Sequence, residues 1–437
     1  MKQRVLALFC AFCLIASAAC LLTACDTVGS SGIVDAELSE SGELILIYED
    51  GRQQNLGNVV GSNGKDGQDG SVIISGETSN IPAASAKGLR SAVSILCKFQ
   101  ATVQQSGWRP GYGSTATKEY SSAGSGVIYQ MDKAAGDAFI ITNYHVVYDA
   151  SSNAENGISR DISIYLYGSE IEEKAIPATY VGGSLYYDIA VLRIDDSDIL
   201  RNSHACQVDV ADSDAVAVGD SAIAIGNAQS YGISASFGIV SVDSEYITMT
   251  AADGRTEVSF RVMRVDTAVN SGNSGGGLYD DRGNLIGIVN AKIVDDGVEN
   301  IGYAIPSNVA IAIANNIIDY CYGTDVQRVQ RALLGITVTS SDSKAIYDVQ
   351  TGTVRIAESV SVYEVAEASL ADGALQAGDL LLSATVNGRK TEITRQYHVI
   401  DLMLSVRVGD TVSFTVLRDG QQLAVDITIT ADCLTAY

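Results

Sequence analysis

Basic side chains are scarce in this 437-residue sequence: 28 lysines and arginines stand against 52 aspartates and glutamates, a formal net charge of −24. No basic patch interrupts that deficit. Such a chain repels nucleic acid and anionic lipid headgroups, so no nucleic-acid partner is expected, and the acidity itself favours solubility. Metal-binding patterns are missing too. Of the eight cysteines, Cys97, Cys206, Cys321 and Cys433 are scattered, with no CxxC spacing and no partnering histidine. That excludes a zinc site of ordinary ligand spacing and makes single buried thiols the default, with a disulfide among them left open. No metal and no cofactor is expected. Histidine is the third scarcity: His145, His204 and His398 are the only three, so a nucleophile that needs a base has few to choose from. Tryptophan occurs once, glycine 42 times, and hydrophobic residues make up 46% of the chain. Many short alternating apolar runs, separated by Gly, Ser, Asn and Asp, predict a mostly β structure, and the length predicts two or three domains.

The N-terminus has the layout of a secretory signal. Lys2 and Arg4 precede an apolar run from Val5 to Leu22, which ends in Leu22-Thr23-Ala24-Cys25. That quartet resembles the bacterial lipobox, in which cleavage before the cysteine leaves it to carry the lipid. The expectation is a signal peptide over 1–24 and lipidation at Cys25. The protein would then be held at the cell membrane and face the extracytoplasmic side. The same run is long enough to remain as an uncleaved transmembrane helix, since a span needs roughly 17–25 residues.

Residues 25–90 read as a low-complexity spacer. Glu43–Tyr48 alternates like a strand, Asp50-Gly51 reads as a turn and Asn55–Val60 as the return strand. Gly61, Gly64, Gly67 and Gly70 then recur at the collagen period, but without proline and too briefly for a triple helix. They predict a flexible polar linker.

The chemistry concentrates further on. Gly272-Asn273-Ser274-Gly275-Gly276 places a serine in a turn whose glycines permit unusual backbone angles. Such a turn exposes the hydroxyl and frees the amides of Gly272 and Ser274, making residues 272–274 the candidate oxyanion hole. Phe139–Val147 sets His145 at the end of an apolar strand, and Tyr187–Ile194 sets Asp188 at the head of another. The order His, Asp, Ser is that of chymotrypsin-type enzymes. An α/β-hydrolase would need its histidine after the serine; only His398 qualifies, and the parallel βα alternation is missing.

These segments resemble the HtrA (Deg) family of serine proteases, trypsin-like enzymes followed by PDZ domains. Thr142-Asn143-Tyr144-His145-Val146-Val147, Asp188-Ile189-Ala190-Val191-Leu192 and Asn270-Ser271-Gly272-Asn273-Ser274-Gly275-Gly276 carry the likeness, flanked by Ser125-Gly126-Val127-Ile128 and Gly302-Tyr303-Ala304-Ile305-Pro306-Ser307. The likeness runs from about Ser91 to near the C-terminus. It implies a chymotrypsin-like double β-barrel over 91–325, with His145, Asp188 and Ser274 as catalytic triad, and an α+β PDZ domain over 326–437. It also implies a serine endopeptidase acting on unfolded or misfolded proteins, a homotrimer, and a small apolar pocket near Val289, Asn290 and Ala291 that favours cleavage after Val, Ala, Ile or Leu. Gly226-Asn227-Ala228-Gln229 departs from the family by lacking the usual proline and phenylalanine.

Leu285–Val289 reads as a buried strand and Ile311–Tyr320 as a helix closing the protease domain. Leu333-Leu334-Gly335-Ile336 resembles the PDZ loop whose amides hold a peptide's C-terminal carboxylate, after which the peptide adds as a strand. Ala374–Leu381 resembles a PDZ turn, His398–Leu404 reads as a helix, and Thr411–Leu417 with Ala424–Thr430 as a closing hairpin. The competing reading, a latent or inactive tethered PDZ binding or chaperone protein, has the intact His, Asp and Ser against it.

Overall fold

The computed structural model describes residues 33–38, 43–48, 50–58, 80–105, 114–293, 301–349 and 351–437. The signal segment, Cys25, the Gly-x-x repeat and residues 294–300 lie outside the described residues. Among those described, no helix is long and apolar enough to cross a membrane.

The chain divides into two units, Met1–Glu77 and Thr78–Tyr437. The first holds an antiparallel sheet of β1 (Ile33–Leu38), β2 (Glu43–Tyr48) and β3 (Gln53–Asn58). The expected hairpin is there, but its return strand begins two residues earlier, because Gln53 pairs with Ile47 across the Asp50-Gly51 turn. The strand β1 has no counterpart in the sequence reading.

The second unit opens with the helix Ile81–Leu89. Two closed six-stranded barrels follow. The first comprises β4 (Ala92–Gln105), β5 (Ser114–Asp132), β6 (Asp137–Thr142), β7 (Asp161–Leu166), β8 (Ile176–Ser184) and β9 (Ile189–Ile194), joined around the ring as β4-β5-β6-β9-β8-β7. The second comprises β10 (Ser221–Gly226), β11 (Ser234–Thr250), β12 (Glu257–Val265), β13 (Gly277–Tyr279), β14 (Leu285–Val289) and β15 (Gly302–Pro306), closed in the same pattern. Closure removes the sheet edges that would otherwise invite aggregation. Ile95, Ile128, Ile140, Ile164, Ile176 and Leu192 fill the first barrel, each at most 1% exposed. Each such side chain stabilises by about 1.5–3 kcal/mol on burial. β9 is buried at all but one position and does not alternate, as befits a strand covered on both faces.

The helix Ser307–Cys321 closes the barrels, four residues longer at its start than the sequence pattern suggests. β16 (Gln330–Ala332) pairs with β23 (Leu434–Ala436). β17 (Ile336–Asp348), β18 (Thr353–Val365), β19 (Leu380–Val386), β21 (Thr411–Arg418) and β22 (Gln421–Thr428) form one sheet in that order, with β20 (Arg389–Glu392) on β19. The helix Tyr397–Ser405 covers this sheet and also packs on Ser307–Cys321. A buried ionic cluster joins the helix Tyr397–Ser405 to β12 of the second barrel. Arg261 Nη1 is 2.9 Å from Asp214 Oδ1, Arg261 Nη2 is 2.9 Å from Asp401 Oδ2, and the guanidinium lies 3.9 Å from the Tyr397 ring centroid. The four cysteines of this unit are free thiols.

Candidate active site

The seam between the two barrels collects the residues singled out above. β6 ends at Thr142 and the chain turns into the short helix Tyr144–Val147, so His145 stands one turn beyond the strand. Asp188 occupies the turn between β8 and β9 with φ +53°, in the left-handed region. For a residue with a Cβ that conformation costs about 1–2 kcal/mol, although aspartate tolerates it better than most. Local hydrogen bonds hold it there: Tyr144 N and Asn143 Nδ2 both donate to the Asp188 carbonyl, at 3.2 and 2.9 Å.

The carboxylate is used as fully as the main chain. His145 N donates to Oδ1 at 2.9 Å, and His145 Nδ1 lies 2.6 Å from Oδ2. One aspartate thus fixes both the backbone and the ring of the histidine, and leaves Nε2 as the ring nitrogen available for a proton. Asp188 is only 5% exposed, which keeps water from competing for these bonds.

Ser274 comes from the second barrel, in the turn before β13. Its carbonyl accepts from Ser125 N at 2.8 Å, tying it to β5. Gly272 (φ +96°) and Gly275 (φ +83°) make the turn possible. A Cβ on Gly272 would lie 2.3 Å from Asn227 O, and one on Gly275 would lie 2.3 Å from both Ser125 O and Thr142 Oγ1. Among the described residues, no hydrogen bond takes up the amides of Gly272 and Ser274. The Ser271 carbonyl accepts from Gln229 N at 2.7 Å. Because a trans peptide directs its C=O and N–H oppositely, that bond turns the Gly272 N–H away from Gln229. Asn273 has to be removed from the expected oxyanion set: its amide donates to Asn270 O at 3.0 Å. Ser274 Oγ makes no hydrogen bond to the His145 ring among the described residues. Such bonds commonly tighten only when substrate binds.

The expected pocket also needs correction. Val289 is 1% exposed in the core of the second barrel, and its amide and carbonyl bond Gly276 O and Gly275 N. Asn290 is fully buried and turns its side chain inward, where Nδ2 donates to Asp188 Oδ2 at 2.8 Å. One of the three neighbours is thus in the core and the next against the aspartate, and only Ala291, where the chain leaves the strand for a short turn, is partly exposed. Asn290 is therefore a support of Asp188, a role its position in the sequence did not reveal.

Asn227, in the segment that departs from the family pattern, bridges the barrels. Its Nδ2 donates to Ser94 Oγ at 2.6 Å and its main-chain N to Ser125 Oγ at 2.7 Å, while Ser125 Oγ donates to Gly272 O at 2.7 Å. A cleft of about 890 Å³ opens beside Tyr144, lined also by Tyr148, Tyr180, Tyr186 and Arg328, but neither Ser274 nor Gly272 lines it.

At the expected peptide loop Gly335 has φ +77°, and the amides of Leu334 and Gly335 have no partner among the described residues. Leu333 does not belong with them: its amide donates to Cys433 O at 3.0 Å. His398 accepts from Thr394 N at 3.2 Å through Nδ1 and stacks edgewise on Tyr397.

Comparison with known proteins assigns both parts of the chain to known families. The trypsin-like peptidase domain family matches residues 124–288, and the PDZ domain family matches 332–429. The chain is 31% identical to the serine protease Do-like HtrA of Lactococcus lactis subsp. cremoris over 416 residues, covering 91% of this chain and 93% of that one. It is 30% identical to the periplasmic serine endoprotease DegP of Escherichia coli over 332 residues, covering 75% of this chain and 61% of that one. Among solved structures, the HtrA-type protease AlgW with decapeptide superposes with a TM-score of 0.49 at 24% identity, covering 82% of this chain and 99% of that one. The chain belongs to the HtrA (Deg) family and is a serine endopeptidase with a PDZ domain.

Proposed function

We propose that Ser274 is the nucleophile, His145 its general base and Asp188 the residue that orients the imidazole. Ser274 Oγ attacks the scissile carbonyl while His145 Nε2 takes its proton. The tetrahedral oxyanion is held by the amides of Gly272 and Ser274, and His145 then protonates the leaving amine. Asp188 stabilises the imidazolium without itself taking the proton. Water repeats the sequence to release the acyl group. The observation that carries this reading is the pair of hydrogen bonds between His145 and Asp188, N to Oδ1 and Nδ1 to Oδ2, beside a serine turn with two amides left open. No step calls for a metal or a cofactor.

The same reading extends to partners and place. Substrates are unfolded or misfolded proteins outside the cytoplasm. Leu334, Gly335 and Ile336 hold peptide C-termini, Cys25 carries the lipid anchor, and three copies associate. Hydrolysis of unfolded casein by the chain from Ser71 onward, beside the same chain with Ser274→Ala, tests the core of it. Activity lost in the variant supports the assignment; equal activity in both overturns it.

A further inference from the structure

β17 is an edge strand of thirteen residues, and only its first part lies beside the rest of its sheet. β18 pairs with β19 at a single position, Ser361 with Leu380. Beyond Ser341 the two strands therefore project as a two-stranded arm. An exposed hairpin is marginal alone, and natural edges are usually blunted with charge. This arm instead carries an apolar face. The cross-strand pairs Ala345–Ile356 and Tyr347–Val354 put four apolar residues on one side, with Val349 at the tip. Tyr347, Val354 and Val349 are 61%, 52% and 82% exposed. Patches of this kind on a monomer mark contact sites. The arm is anchored at both ends: Glu358 N donates to Thr394 O at 2.8 Å near its base, and Arg355 Nη2 donates to Ala215 O at 2.8 Å towards its tip.

We propose that this arm extends the peptide groove: it receives the upstream, alternately apolar residues of a polypeptide whose C-terminal carboxylate sits at Leu334–Ile336. The inference rests on the PDZ reading above. A peptide adding antiparallel to β17 starts at that loop and advances towards Asp348 at about 3.3 Å per residue. Its first five or so residues reach only as far as Ser340; those further upstream come abreast of the arm. At the start of the edge the Val338 carbonyl accepts from the side chain of Gln396, through Nε2 at 3.1 Å, a bond that an added strand would displace. Between the two halves lies a bulge, with the register shifting between Ser341 and Lys344 and Asp342 at φ +52°. Bulges bend and twist a strand, so the arm forms a second contact zone and not a flat continuation.

The test uses the full chain carrying Ser274→Ala, so that peptides survive, and three peptides with free carboxylates. The first is Thr-Val-Thr-Val-Val. The second precedes it with Lys-Thr-Tyr-Thr-Ile-Thr-Val, and the third with a Gly-Ser stretch of equal length. Fluorescence anisotropy should show the second binding about tenfold tighter than the first, a change of about 1.4 kcal/mol, and the third no tighter. Tyr347→Ser with Val354→Ser should erase that gain and leave the short peptide's Kd unchanged. Equal affinities for all three peptides, or a gain that survives in the variant, overturn the extension while the PDZ reading stands. Binding of none of them overturns both.

Discussion

Asn290, in the second barrel, donates its side-chain amide to Oδ2 of Asp188, 102 residues earlier in the first barrel, at 2.8 Å. The oxygen that faces the His145 ring is thus held from two sides. Asn290→Ala should lower kcat about 10-fold or more with little change in KM, because the loss falls on the orientation of the base and not on substrate binding. Asn290→Ser, which retains a donor, should recover part of the rate. A KM effect without a kcat effect would show that Asn290 acts on substrate instead.

Gly272→Ala should fold poorly or lose activity by about 10²–10³-fold. A Cβ there meets Asn227 O at 2.3 Å in a conformation that alanine rarely adopts. Circular dichroism separates the outcomes: native spectra with lost turnover locate the damage in the oxyanion amides. Unchanged turnover would remove Gly272 from the mechanism.

Arg261 is 3% exposed in its side chain and faces both Asp214 and Asp401. Arg261→Ala leaves two carboxylates at the helix–barrel contact without their counter-charge, and should cost about 3–5 kcal/mol of stability in urea unfolding. A cost below about 1 kcal/mol would mean that water reaches the site freely.

Burial, reinforced by the charge of Asp214 and partly offset by Arg261 and Arg331, pushes Asp401 up to about 6. Asp214 moves the other way: against the cost of its burial, Arg261 holds its carboxyl below the usual value. A raised carboxyl means that the folded state binds the proton more tightly than the unfolded one. The stability contributed by Asp401 is therefore full below about pH 3.9 and is lost as pH rises through about 6. Asp401→Asn should unfold at higher urea than the parent at pH 7.5, and the gap should close by pH 4. A gap independent of pH would refute the assignment.

Much of this site is legible in sequence because local backbone chemistry demanded recognisable residues. Gly272 and Gly275 are needed by the serine turn at positive φ, and the apolar runs ending at Thr142 and beginning at Ile189 set His145 and Asp188 at barrel ends. The barrels were legible through alternation and glycine punctuation, and the last hairpin through Asp419-Gly420. What was hidden depends on contacts distant in sequence. Asn290 resembles any polar residue after a buried strand until the barrels close. Arg261 gives no sign that it faces Asp401, since nothing in a strand's periodicity names a partner on a helix far along the chain. Leu333 and Asn273 were misplaced for a related reason: which amides of a loop stay open depends on carbonyls supplied from elsewhere, Cys433 for one and Asn270 for the other.

The division of the site between the barrels sets when a newly made molecule becomes dangerous. His145 and Asp188 leave the ribosome with the first barrel, whereas Gly272, Ser274 and Asn290 arrive about a hundred residues later. Until the second barrel closes on Ser125, a half-made chain has a base without a nucleophile. On the roles proposed for these residues, such a chain cannot cut its neighbours or the machinery that handles it.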